Sequence, residues 1–168
     1  TVEAYRYVFS ECKGTPAIIL SRQGLPVLEG TLENARSGVK RGGYVLQEAA
    51  NGNPQALIIA TGSELHLAVE AQQKLAQDGI HVRVVSMPSW ELFEQQDQAY
   101  REGVLPASVD KRLAVEAGLS LGWERYVGDE GATVTINRFG ESAPGGKLME
   151  EFGFTVDNIV NRLKQLLQ

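Results

Sequence analysis

Between residues 56 and 136 the chain alternates short apolar runs with segments of helical period, and this alternation restricts the possible fold more than any other feature. Ala56-Leu57-Ile58-Ile59 carries no polar residue in alternation, the mark of a strand covered on both faces. Residues 63–77 follow with Leu65, Ala68, Val69, Gln72, Leu75 and Ala76 at helical spacing, and Gly79 marks the stop. A strand at 82–85 completes a βαβ unit. A broken helical region at 90–104, a strand at 113–116, a short helix at 121–127 and a strand at 133–136 continue the pattern. Crossovers of this length demand parallel strands joined right-handedly.

Tyr44-Val45-Leu46-Gln47-Glu48 reads as a further strand, and the turn chemistry of Asn51-Gly52-Asn53-Pro54 predicts that it pairs antiparallel with the strand starting at Ala56. Two helices close the chain, at 146–152 and 155–167. The second carries a stripe of Val156, Ile159, Val160, Leu163, Leu166 and Leu167 for docking on the sheet. The expected architecture is an α/β three-layer sandwich on a mostly parallel sheet of about five strands, one of them antiparallel.

The first 43 residues read differently. A helix at 1–11, stopped by Lys13 and Gly14, precedes a strand at 16–20, and one αβ step cannot cover both faces of its own strand. Thr1, not methionine, opens the chain inside an apolar helical pattern of Val2, Tyr5, Val8 and Phe9. The expectation is a piece of a longer polypeptide: residues 1–22 as the remnant of a preceding domain, 23–43 as a glycine-rich linker, and 44–168 as the main domain.

Composition excludes several classes of function. The 168 residues are 43% hydrophobic and 22% charged, enough for a sizeable core. A net charge of −5 with dispersed basic residues argues against a nucleic-acid surface. No apolar run is long enough for a membrane-spanning helix. Cys12 is the single cysteine, which leaves no internal disulfide and fits a reducing cytoplasm.

Among candidate functional residues, Arg22 stands out. It follows the apolar run Pro16-Ala17-Ile18-Ile19-Leu20 and precedes the breakers Gly24 and Pro26, so it falls at the carboxyl end of a strand, where α/β proteins hold ligands. A guanidinium there offers a planar fork of donors matched to phosphate or carboxylate, although a surface ion pair is the commoner fate of such a residue. Thr61-Gly62-Ser63-Glu64 could present backbone amides to an anion, but it also spells a capping box, Thr61 with Glu64, and that reading is preferred. His66 and His81 lack the spacing of a metal-binding pair. Glu116 and Trp123 either line a crevice or serve as a helix cap and a packing residue, the latter preferred. The loop at 138–146 reads as architecture, with Phe139 anchored beneath it.

The strings "ILSRQGLPVLEGT" and "RGGYVL", with "ATGSE", "VRVVSMPSWELFEQQDQAYRE", "VLP", "AVEAG", "FGESAP" and "EFGFTVDNIV" in that order, resemble the carboxyl-terminal portion of the transketolase family. The resemblance implies transfer of a two-carbon ketol unit between sugar phosphates in the pentose phosphate pathway. It implies thiamine diphosphate and a divalent metal (Mg or Ca) bound by other parts of the intact enzyme, with no cofactor, metal or catalytic residue expected in this chain. It also implies a cytoplasmic homodimer, and it gives Arg22 the role of binding the substrate phosphate. The competing readings are a small-molecule-binding α/β module, a purely structural interaction module and, within the enzyme class, a deoxyxylulose-phosphate synthase.

Overall fold

A computed structural model describes all 168 residues. A helix α1 (Val2–Ser10) opens the chain and a second, α2 (Thr31–Gly38), precedes strand β1 (Tyr44–Gln47). Strand β2 (Ala56–Ala60) leads through a single 3₁₀ turn into α3 (Leu65–Gln77) and strand β3 (Val82–Ser86). Two short helices, α4 (Trp90–Glu94) and α5 (Gln98–Val104), precede β4 (Arg112–Val115). After α6 (Glu124–Val127) and β5 (Ala132–Val134), the chain ends in α7 (Gly145–Glu151) and α8 (Val156–Leu166).

The five strands form one sheet in the order β1-β3-β2-β4-β5, with β1 antiparallel to β3 and all other pairs parallel. The expected sheet is thus present, with one correction: β1 does not pair with β2. Both edges of β2 are taken by parallel neighbours, β3 and β4, so β1 must join at the outer edge of β3, with a register shift between Val45 and Gln47.

Every residue of β2 is fully buried, which explains its uninterrupted apolar run. Ala56, Ile58 and Ala60 face a cluster with Ala68 and Leu75 of α3 and with Ile159, Val160 and Leu163 of α8. Leu57 and Ile59 face the opposite layer, with Met87, Phe93, Val104, Trp123 and Tyr126. Burying each of the three α8 anchors contributes roughly 2 kcal/mol. Thr155 caps that helix, its hydroxyl accepting from the Asn158 amide at 3.2 Å.

The amino-terminal 43 residues depart from expectation twice. Residues 16–20 form no strand, because none of the chain's strands lies alongside to share a ladder; Ile19 is 95% exposed. The stretch expected as a plain linker contains α2, whose Ala35 joins the core cluster of Tyr44 and Leu46. Asn34 fastens it by donating to the Leu46 carbonyl at 3.1 Å. Phe139, expected beneath its loop, is 96% exposed.

Between α2 and β1, Gly42 adopts φ +81°, and a Cβ there would stand 2.2 Å from the Ser89 carbonyl oxygen and 2.3 Å from the Phe93 nitrogen. Both contacts are to backbone, so neither can yield by a rotamer change. Gly42→Ala is therefore expected to cost at least about 2 kcal/mol, from left-handed strain and overpacking together; urea denaturation with an unchanged m-value would show it.

Candidate functional site

In the sheet order, the chain runs from β2 to β3 on one side and returns to β4 on the other, so the topological switch point lies between β2 and β4. Ligand crevices of open α/β sheets form outside the carboxyl ends of such strands. Here that position is already filled. Glu64, only 3% exposed, accepts a hydrogen bond from the Ala117 amide at 3.0 Å with one oxygen and from the Ser63 hydroxyl with the other.

This corrects the capping-box reading. Thr61 makes no side-chain cap, and Glu64 reaches across to the loop after β4 instead of back to its own helix. A carboxylate ties the two strand-end loops together, and it places negative charge where a phosphate would have to sit.

Beside it, Glu116 accepts from the Trp123 indole N–H at 2.7 Å, and Trp123 is fully buried. Trp123 packs as expected, in an edge-to-face contact with Trp90 at 5.1 Å between ring centroids. Glu116 is a partner of that indole and not a helix cap. His66 Nδ1 lies at 2.5 Å from the Ser63 carbonyl oxygen, closing the same turn, while His81 Nδ1 is buried without a partner. Neither histidine is placed for catalysis.

Arg22 is exposed and takes part in none of the chain's ion pairs. Its guanidinium is thus available to an external anion. Its neighbour Gln23 reaches the start of α7: a Cβ on Gly145 would meet Gln23 Nε2 at 2.8 Å. The Ser21-Arg22-Gln23 segment and the loop that precedes α7 therefore adjoin, although they stand far apart in sequence. That loop is braced by the Arg138–Glu141 ion pair, by Arg138 lying 5.6 Å from the Phe152 ring centroid, and by Asn137 accepting from the Ser120 amide at 2.9 Å. No spacing rule along the chain signals the contact of this loop with Gln23.

The model for the transketolase-like C-terminal domain matches residues 42–155. The chain belongs to that family. It is 56% identical to a transketolase of Geobacillus stearothermophilus over 99% of its own length, which is 25% of that relative. Its fold superposes on a Pichia stipitis transketolase solved with sedoheptulose-7-phosphate, with a TM-score of 0.77 and 34% identity over 87% of this chain and 20% of the other. A split-gene transketolase described as an inactive β4 tetramer is 26% identical, with a TM-score of 0.60 over 76% of this chain and 43% of that one. The chain spans about a quarter of the length of the curated relatives it matches.

The family implies a diphosphate cofactor and a divalent metal in the intact enzyme, and the residues present here do not fit such a group. No set of three or more His, Cys, Asp or Glu side chains is placed to hold a metal ion, and the switch-point turn is blocked by Glu64.

The Glu64 bridge has a measurable consequence. Glu64→Ala removes the charge-assisted bond from the Ala117 amide together with the bond from the Ser63 hydroxyl and is expected to lower stability by roughly 1–3 kcal/mol, read from the denaturant midpoint, with amide NMR shifts confined to the two bridged loops.

Proposed function

We propose that this chain is the carboxyl-terminal part of a thiamine-diphosphate-dependent transketolase, which moves two-carbon ketol units between sugar phosphates. What carries the reading is the 56% identity across 99% of the chain, including the Ser21-Arg22-Gln23 segment with its exposed, unpaired guanidinium. In this reading residues 1–22 close the preceding domain, 23–43 connect, and 44–168 form the carboxyl-terminal domain. The cofactor and its divalent metal belong to the remainder of the enzyme, a cytoplasmic homodimer.

Arg22 grips the phosphate of the sugar substrate, as the ligand named for the Pichia stipitis structure suggests. Its fork forms charge-assisted bonds far from the reacting carbon, and that binding energy orients the carbonyl. Exposed large apolar side chains concentrate in the same region: Val2, Phe9, Ile19, Leu20, Val27 and Leu32 all lie within the first 32 residues. Such a patch marks a surface made to be covered, and the rest of the enzyme is the proposed cover. A free-standing ligand-binding module is disfavoured because the crevice it would use is closed by Glu64.

In the full-length enzyme, Arg22→Ala should raise KM for phosphorylated sugars about tenfold or more, the worth of one to two charge-assisted hydrogen bonds. KM for a non-phosphorylated ketol donor should stay within twofold. Equal KM values for phosphorylated substrates in mutant and wild type would refute the assignment. The 168-residue chain alone is expected to show no ketol transfer in a coupled assay with thiamine diphosphate and magnesium. Turnover by the chain unaided would overturn the division of labour proposed here.

A further inference from the structure

A cleft of about 270 Å³ opens on the α4–α5–α6 face of the sheet, lined in part by Glu94, Arg101, Glu102, Arg112, Arg125 and Tyr126. None of its lining residues comes from the first 43 positions or from the loop at 138–146. It is therefore separate from the Arg22 segment.

Two features of its walls ask for an occupant. The Tyr126 hydroxyl is buried with no hydrogen-bond partner, in a residue only 3% exposed, and the Arg101 Nε is likewise buried and unpartnered. Both are donors, and a buried polar group without a partner costs of the order of 1–3 kcal/mol. Burial, and after it the nearby Glu94 carboxylate, push the Tyr126 phenol up to about 12, so it keeps its proton across the physiological range. Glu94, and Arg125 with the opposite pull, border the phenol without a hydrogen bond of acceptable geometry, and Glu94 accepts from Arg101 Nη1 at 2.9 Å.

Charge points the same way. The walls carry three guanidiniums against two carboxylates. Arg112 has no carboxylate partner; its guanidinium donates to the carbonyls of Val109, Leu105, Pro106 and Tyr126, which fix its position without neutralising it. Burial holds its pKa below the ordinary arginine value, against the opposing pull of Glu102 and Asp110. Glu102 gives one oxygen to the Ala107 amide at 2.7 Å. Arg125 enters no ion pair at all.

We propose that this cleft is a second oxyanion site, taking inorganic phosphate or the phosphoryl group of a small monoester. The anion meets Arg125 at the mouth and, with small movements of Glu94, the orphaned donors of Arg101 and Tyr126. Acceptor oxygens match the guanidinium and phenol donors of the walls, and the anion balances the excess guanidinium.

Titration of the 168-residue chain with inorganic phosphate, and separately with glycerol 3-phosphate, tests this by NMR at the Arg101 Nε–H and Tyr126 ring resonances. Saturable binding with a downfield shift of the Arg101 Nε–H is expected. Tighter binding of glycerol 3-phosphate identifies a monoester site, and tighter binding of inorganic phosphate a free-phosphate site. Arg125→Gln should weaken binding about tenfold and Tyr126→Phe several-fold, the worth of a charged and a neutral hydrogen bond. Glu94→Gln, which removes a competing negative charge, should tighten it, and Arg22→Ala should leave it unchanged. Absence of saturation with both anions, or binding that Arg22→Ala abolishes while Arg125→Gln and Tyr126→Phe leave intact, overturns the proposal without touching the reading of Arg22.

Discussion

Complete burial of β2 is the constraint from which the rest of the architecture follows. A five-residue strand with no exposed atom needs a hydrogen-bonded neighbour on each edge and an apolar layer on each face. β3 and β4 take the edges in parallel, α3 and α8 cover one face, and α4 to α6 with their aromatic cluster cover the other. Because both edges are occupied, β1 is forced outward onto β3. The switch in chain direction beside β2 then creates the position where open sheets of this kind hold ligands.

That position is sealed from within by Glu64. Its carboxylate takes the Ala117 amide and the Ser63 hydroxyl, so the two strand-end loops share one internal anion. With the crevice closed, the proposed anion sites lie at the periphery: Arg22, in the segment that adjoins the start of α7 through Gln23, and the arginine-lined cleft on the α4–α5–α6 face.

Much of this was readable in the residues. The unbroken apolar run of β2, the helical stripe of α3 with Gly79 behind it, and the Ile159, Val160 and Leu163 face of α8 follow from periodicity alone, since burial on one face imposes a spacing on the chain. Arg22 was expected at the carboxyl end of a strand, whereas it lies in an exposed bend with no strand before it. Three of the misjudged features share one reason. The strand expected at 16–20 found no partner, the Thr61–Glu64 box was replaced by a bridge to Ala117, and Phe139 projects outward. In each case local pattern was right about propensity and silent about which distant atoms would be available.

By itself the amino-acid sequence determined the elements, their alternation and hence a parallel sheet between helical layers, because those depend on the period with which side chains turn toward or away from water. It also determined kinship, through strings of residues in fixed order. Tertiary structure alone decided that Glu64 meets Ala117, that Gln23 meets Gly145, and that Arg101, Arg112, Arg125 and Tyr126 converge on one cleft. Those meetings join residues from separate elements, and hydrogen bonds and ion pairs form only when packing brings donor and acceptor within about 3 Å, a condition no spacing along the chain encodes.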